Sequence, residues 1–379
     1  MMLRPPLLRH QREILVRFAL IQTHPYHYLP PHYQLTSQMT DHENIMTDTG
    51  MQYFFTEESF LVIEIYLDNH GLLKSGEKLV KVNSAGAGNM NLTLRLETNR
   101  GSYILKQSRP YVEKYPQVDA PIERVLTEAA FLQRIAKEEM LAKRSPDLLN
   151  LDAQNYALFM QDLGHGSDLS IAYAKDLQLR EVTLEGLIDY LSVLHAQPVA
   201  DFPGNLPLRR LNHEHIFVFP YLDAATTGLD LDTIIPGLAA IAKDFRADEK
   251  LRATTADIGE RYLAAGPCLL HGDFYPGSWL EVDQQTYVID AEFAHPGRPE
   301  YDLGVMIAHL HFAGVETSLI DRLRERYQRP QDFEPELVER FAGLELIRRL
   351  IGLAQLPLDA DLEQRRAWLE LGRSYVLNA

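Results

Sequence analysis

Residues 271–292, HGDFYPGSWLEVDQQTYVIDAE, hold an ordered set of acids whose spacing suits chemistry on a phosphate. His271-Gly272-Asp273 reads as a turn, Tyr287, Val288 and Ile289 as a strand, and Asp290 and Glu292 as two carboxylates at its end. Phosphoryl transfer from ATP needs one carboxylate that orients or deprotonates the acceptor hydroxyl and others that hold a metal. Asp273 is the candidate for the first role. Asp290 and Glu292 lie two residues apart and reach one metal edge if the backbone turns there; their hard oxygens suit Mg²⁺. Ser278, five residues after Asp273, stands where kinases place a metal-binding asparagine. A serine hydroxyl ligates more weakly. Any one acid near glycine is by default a capped turn, so the argument rests on the set.

Upstream, Ser84-Ala85-Gly86-Ala87-Gly88-Asn89-Met90-Asn91 falls between two strand-like runs. It is not a dinucleotide fingerprint, because the NLTLRL that follows is a strand and not a helix. It is not a Walker loop either, since GLLKSGEK at 71–78 lacks the Gly-Lys-Ser/Thr ending. Alone such a loop is a simple turn; between strands it is how kinases lay backbone amides over ATP phosphates. Lys106 ends the next strand, a position where a lysine is usually solvated. On the helix expected from Pro121, Ile122, Val125, Ala129 and Leu132 form an apolar stripe with Glu128 at its edge. A glutamate among apolar neighbours needs a cation, and Lys106 is the natural partner, giving the ion pair that positions ATP phosphates.

Three further places carry charge near apolar faces. Asp302, in Tyr301-Asp302-Leu303-Gly304 at a helix start, is expected to accept backbone amides and brace the Asp273 loop. His195, in LIDYLSVLHAQP, reads as a satisfied core histidine. In GLELIRRLIGLAQ, Arg348 borders the apolar face beside Leu344 and Ile351, while Arg349 lies nearer Glu345. An arginine there either pairs with an acid or meets a ligand.

The elements that must position these groups are legible in outline. A helix over ESFLVIEIYLDNH with Thr56 as N-cap ends at Gly71; strands KLVKV, NLTLRLE and SYILKQ follow, the last two closed by Asn99-Arg100-Gly101. Strand-like YALFM at 156–160 precedes QDLGHG, and beyond it the chain is mostly helical. A β-rich portion followed by a helical one indicates an α+β chain of two lobes. The chain has 379 residues, enough for one large or two medium domains. A formal charge of −16 argues against nucleic acid or an anionic membrane as the main partner. The single cysteine, Cys268, excludes an internal disulfide and a cysteine-based zinc site, and fits a reducing cytoplasm. No apolar run approaches the roughly 20 residues that span a bilayer. The first 40 residues carry Arg4, Arg9, Arg12 and Arg17 against Glu13 alone, with a Pro/His/Tyr-rich stretch. They read either as a targeting segment or, as we favour, as a disordered or mis-assigned extension, because such composition cannot bury a core.

Taken together these residues resemble the aminoglycoside phosphotransferase and choline kinase family, closest to its 5-methylthioribose kinase branch. The resemblance runs from about Phe55 to the C-terminus. It is carried by Gly88-Asn89-Met90-Asn91, Lys106-Gln107 with Arg109-Pro110-Tyr111-Val112, Glu128, and Met160-Gln161-Asp162-Leu163. His271-Gly272-Asp273 with Gly277-Ser278, Asp290-Ala291-Glu292-Phe293, Asp302, and Arg348-Arg349 with Gly352-Leu353-Ala354 complete it. It implies a protein-kinase-like two-lobe fold, with an antiparallel sheet in an N-lobe over 55–163, a mainly helical C-lobe over 164–379, and 1–54 as extension. It also implies ATP on Gly86, Gly88, Asn89, Lys106 and Glu128 and on the backbone of Gln161 and Leu163. Mg²⁺ would sit on Asp290 and Glu292, with Ser278 typical of that branch, as is Asp-x-Glu. The twin arginines Arg348 and Arg349 would line a sugar pocket, and the ribose 1-hydroxyl would receive the phosphate. Departures are Phe274-Tyr275-Pro276 where the branch favours Leu-His-Thr, and Ala291 for its proline; they flank the acceptor position and bear on substrate more than on reaction.

The sequence therefore leads to an ATP- and Mg²⁺-dependent kinase for a small metabolite, methylthioribose first. Alternatives are a kinase for another sugar, or for an amino alcohol or aminoglycoside, cationic acceptors against which Arg348 and Arg349 argue, and a nucleotide-binding protein without transfer activity, suggested by Ser278. Oligomeric state is left open, a homodimer included.

Overall fold

The computed structural model describes residues 44–86, 90–174 and 178–379, so the expected nucleotide contacts at Gly88 and Asn89 lie outside the described residues. The chain divides into two compact units. The first holds the described residues up to Ala129 with Asp147–Asp162 and Ala224–Leu229; the second holds the described residues of Ala130–Pro146, Leu163–Asp223 and Asp230–Ala379. The chain thus passes between the units several times, where the sequence suggested one boundary between 163 and 164.

The first unit is built on a five-stranded antiparallel sheet in the order β1-β2-β3-β7-β6. Its strands are β1 (Leu79–Ser84), β2 (Leu92–Thr98), β3 (Gly101–Gln107), β6 (Leu148–Asp152) and β7 (Ala157–Gln161); the pair β4 (Tyr111–Val112) and β5 (Tyr115–Asp119) follows β3. β6 escaped the sequence reading because LLNLD is too short and too little alternating to stand out. Strand alternation sorts side chains to two faces. Leu94, Leu96, Leu105 and Phe159 fall on one, where they form a core with Phe55, Ile63, Tyr66 and Leu67. Lys106, which pairs in register with Thr93 and Leu158, falls on the other.

Among the described residues two short helices precede the sheet. α1 covers 44–49, and α2 (Phe60–Asn69) buries Ile63, Tyr66 and Leu67 at helical spacing. α2 starts later than expected: the Thr56 amide donates to Ser59 Oγ at 3.0 Å, which makes 56–59 a turn, and Glu57 accepts instead from the Ser84 amide at 3.1 Å. Nor are residues 44–54 an extension. Met51 is buried, and the amides of Gln52 and Tyr53 donate to Asn155 Oδ1 at 2.7 and 2.9 Å.

The second unit is mainly helical. α4 (Glu181–His195), α5 (Leu206–His213), α6 (Glu300–Phe312), α7 (Pro335–Ile351) and α8 (Leu362–Asn378) frame it, and α3 (Arg124–Ile135) contributes its C-terminal half. α6 and α7 are buried nearly all round, as helices at the centre of a core must be. Among the described residues two small sheets hold the loops: in one, β8 (Ser167–Asp168) pairs with β10 (Trp279–Val282) and β10 with β11 (Gln285–Val288); in the other, β9 (Cys268–Leu270) pairs with β12 (His295–Gly297). β9 therefore delivers His271–Asp273, and the β10–β11 hairpin delivers Asp290–Glu292. Among the described residues no helix is long and apolar enough to cross a membrane.

Candidate active site

In the first unit the charged groups of the candidate site, Lys106, Glu128 and Arg124, are buried and partnered. Lys106 Nζ lies 2.6 Å from Glu128 Oε2, and both side chains are 3% exposed. Breaking such a pair strands a charge in the interior, at a cost of about 3–5 kcal/mol. Arg124, at the start of α3, donates to the carbonyls of Arg109 and Pro121 at 2.7 and 2.8 Å and of Met90 and Tyr111 at 2.6 and 3.2 Å. It is fully buried. A planar guanidinium satisfies several fixed carbonyls at once, which an ammonium cannot, so Arg124 ties the exit of the glycine loop to the β3–β4 turn. Gly86 has φ +133°, a conformation that side chains rarely adopt, and Ser84 Oγ donates to its carbonyl at 3.0 Å. At the end of β7, Asp162 takes a two-pronged bond from Arg95, with Nε–Oδ2 at 2.7 Å and Nη2–Oδ1 at 3.0 Å. Gln161 is held by its amide donating to the Asp147 carbonyl at 2.9 Å.

In the second unit Asp302 organises the His271–Asp273 turn. Its Oδ2 accepts the His271 amide at 2.7 Å and its Oδ1 the Gly272 amide at 3.0 Å. His195 Nε2 lies 3.3 Å from the same carboxylate, and Tyr327 hydroxyl 2.6 Å from His195 Nδ1. Burial works to raise the Asp302 carboxyl, but the bonds from His195 and the His271 amide outweigh it and hold it below its ordinary range. Both residues thus have the structural parts read from sequence. Gly272 sits at φ +84°, and a Cβ there would meet the Phe293 carbonyl oxygen at 2.2 Å. Only glycine lets the turn approach the Asp290–Phe293 segment so closely. The His271 ring adds a second tie: Nε2 donates to the Ile289 carbonyl at 3.0 Å, leaving Nδ1 to accept the Asp273 amide at 3.3 Å.

Asp273 is partly exposed, its side chain at 27%, and its Oδ1 lies 3.9 Å from Arg349 Nη2. Burial pushes its carboxyl up to about 6, against the pull of Arg349 and Arg348; Glu345 and Glu292 add to the rise. Asp290 is exposed and takes left-handed backbone, φ 63° and ψ 46°, which a non-glycine residue adopts only when its surroundings impose it. Glu292 is 6% exposed, and Asn205 Nδ2 donates to its carbonyl at 2.8 Å. Among the described residues no group of three or more His, Cys, Asp or Glu side chains forms a metal cage. Two carboxylates at a turn suit Mg²⁺ bound jointly with substrate phosphates, the usual way this ion is held. Ser278 is buried and donates its hydroxyl to the Asp273 carbonyl at 2.9 Å, so it closes the loop that carries Asp273.

Behind Asp273 lies a cluster that the sequence indicated only through its arginines and Glu345 beside Arg349. Glu345 Oε1 accepts from Arg349 Nε at 2.8 Å and from His309 Nε2 at 2.9 Å, while its Oε2 accepts from Arg348 Nε. His309 takes the Tyr173 hydroxyl on Nδ1, and its ring is held neutral, pushed down to about 4 by burial against the pull of Glu345. Arg349 also faces the Tyr275 ring, its Cζ 4.8 Å from the centroid. Arg348 Nη1 lies 3.3 Å from His215 Nδ1, in a π-helical turn at Glu214–Val218. The signal that was available is spacing: Glu345 precedes the two arginines by three and four residues, so all three share one side of α7. His309, Tyr173 and His215 come from distant segments with no such signal.

A sheet-borne lysine–glutamate pair in one unit, and in the other a braced His-Gly-Asp turn followed by an acid-bearing one, define a small-molecule kinase. Comparison with known families agrees: a model described as the phosphotransferase enzyme family, APH, matches residues 81–340. The chain belongs to this family. It is an enzyme that transfers phosphate from ATP to a hydroxyl of a small molecule. Among curated relatives, a methylthioribose kinase of Exiguobacterium sibiricum is 30% identical over 341 residues, 76% of this chain and 83% of the relative. One of Pectobacterium atrosepticum is 27% identical over 375 residues, 83% of this chain and 92% of the relative. Among solved structures, a choline kinase from Streptococcus pneumoniae overlays with a TM-score of 0.48 at 12% identity, covering 84% of this chain and 99% of its own.

Proposed function

We propose that the protein is an ATP- and Mg²⁺-dependent methylthioribose kinase that phosphorylates the 1-hydroxyl of S-methyl-5-thioribose. The observation that carries the reading is Asp273. It is a carboxylate on a turn fixed by Asp302 and Gly272, raised to about 6 by burial, with an arginine beside it. A base poised near neutrality can accept a hydroxyl proton at working pH. The curated relatives named methylthioribose kinase favour this sugar, and buried arginines favour a neutral or anionic acceptor over an amino alcohol or aminoglycoside.

The roles divide by unit. In the first, the glycine loop at Gly86, Gly88 and Asn89 and the Lys106–Glu128 pair hold the nucleotide phosphates, and the backbone of Gln161 takes the adenine edge. In the second, Asp290 and Glu292 hold the metal, which neutralises phosphate charge when bound. Ser278, its hydroxyl proton engaged by the Asp273 carbonyl, keeps oxygen lone pairs for the metal or its water. Arg348 and Arg349 hold the acceptor, and Asp273 aligns and deprotonates its hydroxyl. The nucleotide-holding lobe is the first compact unit and the acceptor-holding lobe the second, the setting is cytoplasmic, and no nucleic acid is involved, in keeping with the charge of −16.

The test is ADP release with product mass over a panel of methylthioribose, other pentoses, choline and aminoglycosides, with and without Mg²⁺. The reading expects a monophosphate of methylthioribose, formed only with Mg²⁺ and lost in Asp290→Asn. Turnover of choline or an aminoglycoside in its place would reassign the acceptor; ATP binding without any acceptor turnover would identify a non-transferring nucleotide binder.

A further inference from the structure

The two arginines proposed for the acceptor are themselves held by one group. Glu345 is 1% exposed and bonds Nε of both Arg348 and Arg349, one through each oxygen, while His309 Nε2 fixes the carboxylate from a third direction. A guanidinium anchored at Nε cannot swing about its long side chain, so its terminal nitrogens are presented in one orientation. For Arg349, Nη2 faces Asp273 at 3.9 Å while Nη1 donates to the Ala354 carbonyl at 3.5 Å, and for Arg348, Nη1 faces His215 at 3.3 Å.

We infer that Glu345 is a positioning residue for phosphoryl transfer, which aims Arg348 and Arg349 at the acceptor without touching it; this rests on the acceptor role proposed for those arginines. The chemistry of the cluster supports an aiming function over a merely neutralising one. One carboxylate set against two guanidinium groups leaves a surplus positive charge, which a structural ion pair would not. With Asp273 ionised the set is balanced; when that carboxylate takes the hydroxyl proton, the surplus faces the oxygen that is becoming attached to the phosphoryl group. Tyr173, through His309, is the outermost brace of the same arrangement.

The test compares wild type with Glu345→Gln, which keeps shape and one acceptor oxygen but sets an NH₂ against an arginine, and with Glu345→Asp, which keeps the charge but is one methylene too short to reach both. Glu345→Gln is expected to lower kcat/KM for the acceptor on the order of 10²-fold, the scale of a small misplacement of reacting groups. KM for ATP should stay within about twofold, and Glu345→Asp should recover part of the loss. Crystal structures of the variants provide a second readout that needs no substrate: the guanidinium groups of Arg348 and Arg349 should leave their wild-type orientations. Unmoved arginines, or a fall in active enzyme with acceptor KM unchanged, overturn the inference. If wild type fails to phosphorylate methylthioribose while the arginines still move in Glu345→Gln, the substrate assignment fails and the positioning role stands.

Discussion

The two units hold the charges of the candidate site in opposite ways. In the first they are closed off locally: Lys106 has Glu128, and Arg124 has four carbonyls. In the second, charges are shared, with Glu345 serving two arginines and a histidine, Arg349 facing both Glu345 and Asp273, and Asp273 left partly exposed and raised to about 6. A closed pair makes a rigid platform whose electrostatics stay fixed, as suits a cofactor bound the same way each turn. A shared set can accept or release one proton with little rearrangement, as suits the reacting centre. Under the proposed roles the contrast separates holding from reacting within one chain.

The largest effects should come from breaking the second unit's reactive acid. Asp273→Asn is expected to lower kcat by about 10²–10⁴-fold with KM for ATP nearly unchanged, measured by ADP release. The same substitution sharpens the charge argument. The folded carboxyl is raised from 3.8 to about 6, so its ionisation opposes folding above that range and costs nothing below pH 3.8. Asp273→Asn should therefore be more stable than wild type at pH 8, on the order of 1–3 kcal/mol, with the difference vanishing near pH 4. Wild-type kcat/KM should fall as pH drops through about 6. Glu345 acts with the opposite sign. Burial favours its neutral form, but Arg348 and Arg349 prevail and hold it well below 4.5, so its contribution is lost only as pH falls below that value.

Breaking the first unit's platform should be felt as binding and folding. Lys106→Ala leaves Glu128 uncompensated in the interior, and should cost about 3–5 kcal/mol in urea unfolding as well as raising KM for ATP. Glu128→Gln in the same background should restore much of the stability and none of the ATP affinity. Next in size, Arg348→Ala should raise KM for the acceptor by about 10-fold or more, the effect of one lost charge-assisted bond, and leave KM for ATP alone. The smallest change is Arg124→Lys, which keeps the charge and loses the fork. A rise of a few-fold in KM for ATP, with no change for the acceptor, is expected.

How much of this could be read from the sequence follows from distance along the chain. Lys106 with Glu128 was legible because one apolar stripe brought a glutamate to its edge and a strand brought a lysine nearby. The Asp273, Asp290 and Glu292 set lies within a single loop–hairpin–turn, so its order survives in the linear text. Asp302 was legible as a helix-start acid, although its two amide partners were not individually readable. Glu345 was read as a neighbour of Arg349 but not as the anchor of both arginines, since an i,i+4 acid beside arginine also occurs on any solvated helix. His309, Tyr173 and His215 were out of reach, since only the packing of α6 and α7 with the loops brings them together. The late start of α2 was missed because Thr56 prefers Ser59 as a turn partner over capping a helix.

The most direct test is phosphorus NMR with product mass after mixing the protein with ATP, Mg²⁺ and methylthioribose, alongside Asp273→Asn. A 1-phosphate formed by wild type and absent in Asp273→Asn is the expected result. Undiminished transfer by Asp273→Asn would contradict the account, because the group assigned to the hydroxyl would then be dispensable.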